Sequence, residues 1–209
     1  MVLTWYLIAR AFDRGSSHRR ALPLELILAI FHYTDFFVPI TDLGSHSKKP
    51  IKVTASSYAV VRKAWFESPV LDTATLARVV GCQLRTSSRD QGWADRPEAG
   101  SWTWFELSLE RPREAEQPLH HARMFRTLDE AVGEDQWREV RWRSHCNRTA
   151  NQLRHNLSGL RFERGHEIWR LARAGDRIAV TVCAQYGAWS NDAESGVLEL
   201  WARFVPSCI

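Results

Sequence analysis

The chain lacks the short motifs that anchor the common chemistries. No Gly-x-Gly-x-x-Gly run and no P-loop occurs, so nucleotide chemistry has no phosphate cradle. No Gly-x-Ser-x-Gly elbow is present to expose a hydrolase nucleophile. The cysteines Cys82, Cys146, Cys183 and Cys208 include no Cys-x-x-Cys pair. Cys82 and Cys183 sit in apolar, strand-like runs, which predicts reduced, buried thiols rather than a disulfide framework. His145, His155 and His166 follow no zinc-ligand spacing, and the His120-His121 pair in a charged segment reads as solvated. No metal and no cofactor is therefore expected, and the chain reads as non-enzymatic. A hydrolase built on one of the histidines is the remaining enzymatic alternative. No apolar run approaches a membrane span, so no membrane partner is expected. The apolar start MVLTWYLIARAF has no basic lead and no small-residue cleavage site, which argues against a signal peptide. An intracellular location, cytoplasmic or nuclear, is the expectation. The sequons at Asn147 and Asn156 then read as chance.

Charge of one sign is also scarce. The net charge is +4, and arginines alternate with acids in RPREAE and RFERGHE. That pattern describes a solvated surface and not a stripe that tracks phosphates, so nucleic acid is not an expected partner. What is abundant is tryptophan, with ten in 209 residues. Most are assigned to a core and a few to a recognition surface, because the ring is large, stiff and carries one N–H donor.

The pattern of elements predicts a mainly β fold with a short N-terminal helical arm. Residues 1–57 read as the arm and residues 58–209 as one sandwich domain, with an exposed, partly helical insertion near 111–136. Residues 1–20 read as an apolar start and a flexible basic link. In LPLELILAIFHYTDF, Pro23 suits a first helical turn, and Leu24, Ile27, Leu28 and Phe31 follow at helical spacing, giving a helix over 22–36. Residues 39–57 are polar and turn-rich and read as a loop. SWTWFELSLE alternates, with Trp102, Trp104, Glu106 and Ser108 on one face and Phe105, Leu107 and Leu109 on the other, core-facing side. Further strands are expected at REVRWRSHC, IAVTVCA and SGVLELWARFV, with a turn at Ala174-Gly175-Asp176. Past REVRWRSHC, Asn147, Arg154 and His155 form a polar cluster that either adds donors to a binding site or, as the favoured reading, caps a helix beginning at Asn147 or Thr149. Irregularly spaced strands joined by polar loops indicate a β-sandwich or jelly roll.

Two resemblances add to this reading. Leu22, Pro23, Glu25, Leu26, Ile30 and Phe31 match the opening of an F-box, which resembles them over about fifteen residues. Val61, Arg62, Lys63 and Trp65 stand in for its later helices. The resemblance implies that Leu22, Pro23, Leu26, Ile30 and Phe31 contact the adaptor of a cullin-type ubiquitin ligase. The alternative is an amphipathic helix that caps the sandwich. Over about residues 76–205 the order of elements looks like domains of uncharacterised fungal proteins. It is also similar in layout to the galactose-binding-like jelly roll of F-box-associated sugar-binding domains. That likeness implies a fold and a ligand class, a glycan or glycoprotein, but no site.

The candidate site comes from the residues themselves. Arg89, Asp90, Gln91 and Trp93 combine forked polar groups with a stacking face, and Tyr186, Trp189 and Asn191 repeat that combination in YGAWSN. The two loops are expected to meet at one end of the sandwich, with Gly187 at positive φ. The competing reading pairs Arg89 with Asp90 and makes Trp93 a plug in the sandwich end. The expected function is recognition, as a substrate receptor that holds a protein, glycoprotein or glycan. The alternatives are a scaffold subunit with Trp-rich contact loops and a glycan binder without a ligase link.

Overall fold

A computed structural model of the protein describes residues 2–34, 36–111 and 140–204. Among the described residues, helix α1 (Val2–Arg14) and helix α2 (Leu24–Tyr33) precede ten strands. Three short strands come first: β1 (Phe37–Pro39), β2 (Ser45–Ser47) and β3 (Ile51–Thr54). The long ones follow as β4 (Val61–Glu67), β5 (Val79–Arg89), β6 (Thr103–Glu110) and β7 (Arg141–Cys146). The chain continues through β8 (His155–Glu163), β9 (Arg177–Ala184) and β10 (Ser190–Arg203). Short helices α3 (Thr73–Arg78) and α4 (Glu167–Leu171) bridge β4 to β5 and β8 to β9.

The strands form a β-sandwich of two antiparallel sheets. One runs β4-β9-β6-β7. The other runs β10-β5-β8, with β1, β2 and β3 paired in succession along the free edge of β10. Counted from β3 as the first of eight, the sheet orders are 1-8-3-6 and 2-7-4-5, which is jelly-roll order. Alternation builds the core between the sheets. Ile178, Val180 and Val182 of β9 meet Phe105 and Leu107 of β6, and Cys82, Leu84, Leu198 and Leu200 close it from the other side. Each such side chain, fully buried, contributes about 1.5–3 kcal/mol. The faces predicted for β6 are those observed, but the second face is buried as well: Trp104 is 2% exposed and Glu106 7%. Trp104 Nε1 and Arg62 Nε donate to the Glu106 carboxylate at 2.6 and 3.0 Å.

Several expectations are corrected. The apolar start is a helix, α1, because Trp5 and Ala9 fall one turn apart and turn inward. They form a second, smaller core with Ile27, Phe31 and Phe204. Phe31 is 1% exposed in that core, so it holds the arm to the sandwich and is closed to an adaptor. Leu22 is partly buried there too. Leu26 and Ile30 lie on the outer side of α2, 52% and 37% exposed. Val61, Arg62, Lys63 and Trp65 lie on strand β4, so they do not supply further F-box helices. Residues 39–57 are not simply a loop: β2 and β3 pair with β10 there, so the sheet begins at Phe37. No helix follows β7; the chain turns at Thr149-Ala150, with Ala150 at φ 53, and enters β8. The expected insertion, including His120 and His121, falls within 112–139, outside the described residues apart from Arg111.

Candidate binding surface at one end of the sandwich

Antiparallel strands send alternate connections to opposite ends. Four of them, over 55–60, 90–102, 147–154 and 185–189, arrive at the same end. They are joined there by hydrogen bonds. Ala55 and Ala188 link the first and last segments, through Ala55 N–H to the Trp189 carbonyl at 2.9 Å and Ala188 N–H to the Ala55 carbonyl at 3.0 Å. Gln185 N–H donates to the Trp102 carbonyl at 3.0 Å. The Ser190 N–H donates to Gln91 Oε1 at 3.2 Å, and Gln91 Nε2 donates to the Trp93 carbonyl. The 87–93 and 186–191 loops therefore lie side by side, with Gln91 between them.

The polar residues expected to face a ligand divide into two groups. Asp90 is 2% exposed. Its carboxylate accepts the Gly92 N–H at 2.7 Å, the Ala150 N–H at 2.7 Å and the Asn151 N–H at 3.3 Å. It organises two loops and does not pair with Arg89. Arg89 instead bonds Asp192 at 3.0 Å and the Gln152 carbonyl at 3.0 Å, and Arg154 grips the same Asp192 carboxylate at 3.0 and 3.1 Å. Asn191 is fully buried. Its amide donates to the Trp104 and Cys183 carbonyls and accepts from Asn147 at 2.8 Å. A buried amide with all these partners positions the loop from below and cannot meet a ligand.

The exposed part of the surface is aromatic. Trp93 is 54% exposed and does not plug the sandwich. Tyr186 stands edge-on to Trp102 at 4.6 Å and to Tyr58 at 6.0 Å, with Tyr58 83% exposed. Trp189 is half-buried. Positive φ falls on Tyr186 (67°) and Ala188 (72°), while Gly187 between them stays outside that region. Left-handed backbone at a residue with a Cβ costs about 1 kcal/mol or more, so contacts around these residues hold the loop in shape. Tyr58 and Trp102 are not among the residues singled out from sequence; Trp102 reads there only as part of the alternating strand SWTWFELSLE.

Beneath the loops runs a buried polar chain. Ser88 donates to Asn147 Oδ1 at 2.7 Å, and Asn147 Nδ2 donates to Thr103 Oγ1 at 2.9 Å and to Asn191. Ser88 gives its only proton to Asn147, so Thr86 donates to Ser88 Oγ at 2.9 Å. Thr86 Oγ1 is then left to accept from His145 Nε2 at 2.8 Å. The ring so placed carries a proton on Nε2, and in its neutral form it accepts from Ser144 at Nδ1, 3.0 Å away. Burial holds the His145 pKa down, to about 4. The same burial puts Asn147, 4% exposed, out of reach as a glycan acceptor. Burial pushes the Cys82 and Cys183 thiols up, away from thiolate character. Among the described residues no group of three or more His, Cys, Asp or Glu side chains converges as a metal site, and no helix is long and apolar enough to cross a membrane.

Compared with known proteins, the chain matches no family model, no curated protein and no solved structure.

Proposed function

We propose that the protein is a non-enzymatic recognition module that holds a protein or glycoprotein segment on the aromatic end of its sandwich. The observation that carries this reading is the convergence of Trp93, Tyr58, Tyr186 and Trp102 on one rim, joined through the Gln91–Ser190 bond. Rigid aromatic faces beside amide and guanidinium donors suit extended polar ligands, because flat rings bury area with little loss of rotamer freedom. Asp90, Asn147 and Asn191 fit this role as the groups that preorganise the rim. Thiols held protonated and a histidine held neutral by burial favour recognition over hydrolysis.

The receptor reading adds a second contact, between α2 and a ubiquitin-ligase adaptor. It rests on Leu26 and Ile30, whose exposure leaves them open to a partner, and no longer on Phe31. The test has two arms. Partners captured by the full chain are compared with those of a Trp93→Ala/Tyr58→Ala double variant, and purified adaptor is tested against Leu26→Asp/Ile30→Asp. Loss of specific partners in the first variant, with a glycan array dividing protein from sugar ligands, supports the rim. An identical partner set refutes it. Absence of adaptor capture by the wild-type chain removes the ligase link and leaves the rim intact.

A further inference from the structure

A separate groove lies on the outer face of the β10-β5-β8 sheet, against α1, with a volume of about 530 Å³. Its floor follows from register. Trp201 of β10, Gly81 of β5 and Glu163 of β8 stand opposite one another across three strands. A Cβ at Gly81 would lie 3.0 Å from the Phe162 carbonyl oxygen, a tight contact. The glycine also leaves no side chain between Trp201 and β8. Arg161 reaches across that gap and lies over the Trp201 ring at 4.7 Å and the Phe37 ring at 5.6 Å. A β-bulge opposite Trp201–Ala202 sets the strand geometry at this point.

The groove gathers unneutralised positive charge. Arg161, Arg164 and Arg203 line it, with Glu163 as its one acid. Among the described residues none of the three arginines makes an ion pair. Arg164 is held by the carbonyls of Leu76 and Val79 through one nitrogen, and Arg203 by His32 through one nitrogen. Among the described residues Arg161 lies over two ring faces and makes no hydrogen bond or ion pair, which leaves its N–H donors for a ligand. Stacking desolvates the faces of a guanidinium and fixes its plane, while the edge keeps the geometry that receives two oxygens of one anion. Elsewhere on the same sheet face Arg85 is paired with Glu199 at 3.3 Å, so the unpaired state is local to the groove.

We infer that this groove is a binding site for a phosphate group, with Arg161 as its central ligand and Arg164 and Arg203 at its sides. A tetrahedral dianion offers oxygens to several forks at once, which a single carboxylate does not. The aromatic walls Trp5 and Phe37 suit a phosphate carried on a planar organic group.

Phenyl phosphate and inorganic phosphate are titrated into the full chain by calorimetry at low salt. Saturable binding of phenyl phosphate below about 10 mM is expected, weakened by added salt and reduced about tenfold or more in Arg161→Gln. Arg85→Gln, with unchanged thermal stability, leaves the affinity as it was. Tighter binding of phenyl phosphate than of inorganic phosphate assigns an ester, and equal affinity assigns the free ion. No binding up to about 10 mM overturns the inference. So does equal affinity in Arg161→Gln, or equal loss in Arg85→Gln.

Discussion

Replacing His145 with glutamine removes a buried ionisable group while keeping one donor and one acceptor in its place. The ring stacks on Phe105 at 4.8 Å and is bonded at both nitrogens, to Thr86 and Ser144. Its pKa falls from 6.5 to about 4 through burial. A group whose folded pKa is depressed gives stability that is fully present above pH 6.5 and is lost as pH falls towards 4. Within that window the unfolded chain takes up a proton that the folded chain refuses. The gap between the two values, at 1.36 kcal/mol per pH unit, comes to about 3 kcal/mol. His166 is also depressed by burial, but it is present in both proteins and cancels in the difference. Glu106 and Asp176 stay below their ordinary values despite burial, because Trp104 and Arg62 hold the first and Arg111 the second. Both are present in the two proteins and cancel in the difference as well. Urea unfolding of wild type and His145→Gln at pH 7.5, 6.5, 5.5 and 4.5 reads the effect. The wild type is expected to lose about 1.4 kcal/mol more than the variant for each pH unit below 6.5. Parallel curves for the two proteins would refute the neutral ring.

Asn147→Ala strands Ser88 and Asn191 in a buried setting and is expected to cost roughly 3 kcal/mol in urea unfolding. Phe31→Ala empties the second core and is expected to cost about 3 kcal/mol. Leu26→Asp leaves thermal stability nearly unchanged, and equal effects from these two would contradict the orientation of α2. Gly159→Ala drives a Cβ into the Ser144 hydroxyl and the His145 ring, with an expected loss of at least about 2 kcal/mol and faster hydrogen exchange along β8.

The sandwich was legible because its strongest signals come from period-two alternation in long strands. TWFELSLE alternates and IAVTVCA is an unbroken run of small and β-branched residues, and both bury a face against the other sheet. The short strands were not legible. SHS and IKVT are too brief for alternation to show, and their pairing depends on the far end of the chain, where β10 offers an open edge. Helix α1 was hidden because only Trp5 and Ala9 of its described residues are buried, with Phe12 partly so, and its exposed Leu3 and Leu7 blur the helical period. In LPLELILAIFHY, spacing places Ile27 and Phe31 on one face, but not whether that face looks inward or outward. Contact with Phe204, more than 170 residues away, decides it.

The candidate site shows the same division in a different form. Asp90 and Asn191 drew notice because polar residues beside aromatics suit ligand contact, yet both are buried and fully hydrogen-bonded. A short polar side chain near a turn is as well suited to fixing backbone N–H groups as to meeting a ligand, and sequence does not distinguish the two. The solvent-facing role falls to Trp93 and Tyr58, whose rings extend beyond the backbone that Asp90, Asn147 and Asn191 hold in place. The positive φ of Tyr186 and Ala188 has the same origin: the flanking bonds from Ala55 and to Trp102 define the loop, and the strain is carried by residues that a sequence reading would not choose for it. The loop substitution that separates these roles is Asp90→Asn. It keeps one acceptor oxygen and so loses either the bond from Ala150 or the bonds from Gly92 and Asn151, and it is expected to lower affinity for any rim ligand without touching that ligand. Trp93→Ala is expected to lower affinity with the loops unchanged. Hydrogen exchange at Gly92 and Ala150 divides the two, rising in Asp90→Asn and not in Trp93→Ala. Equal exchange in both variants would remove Asp90 from the organising role.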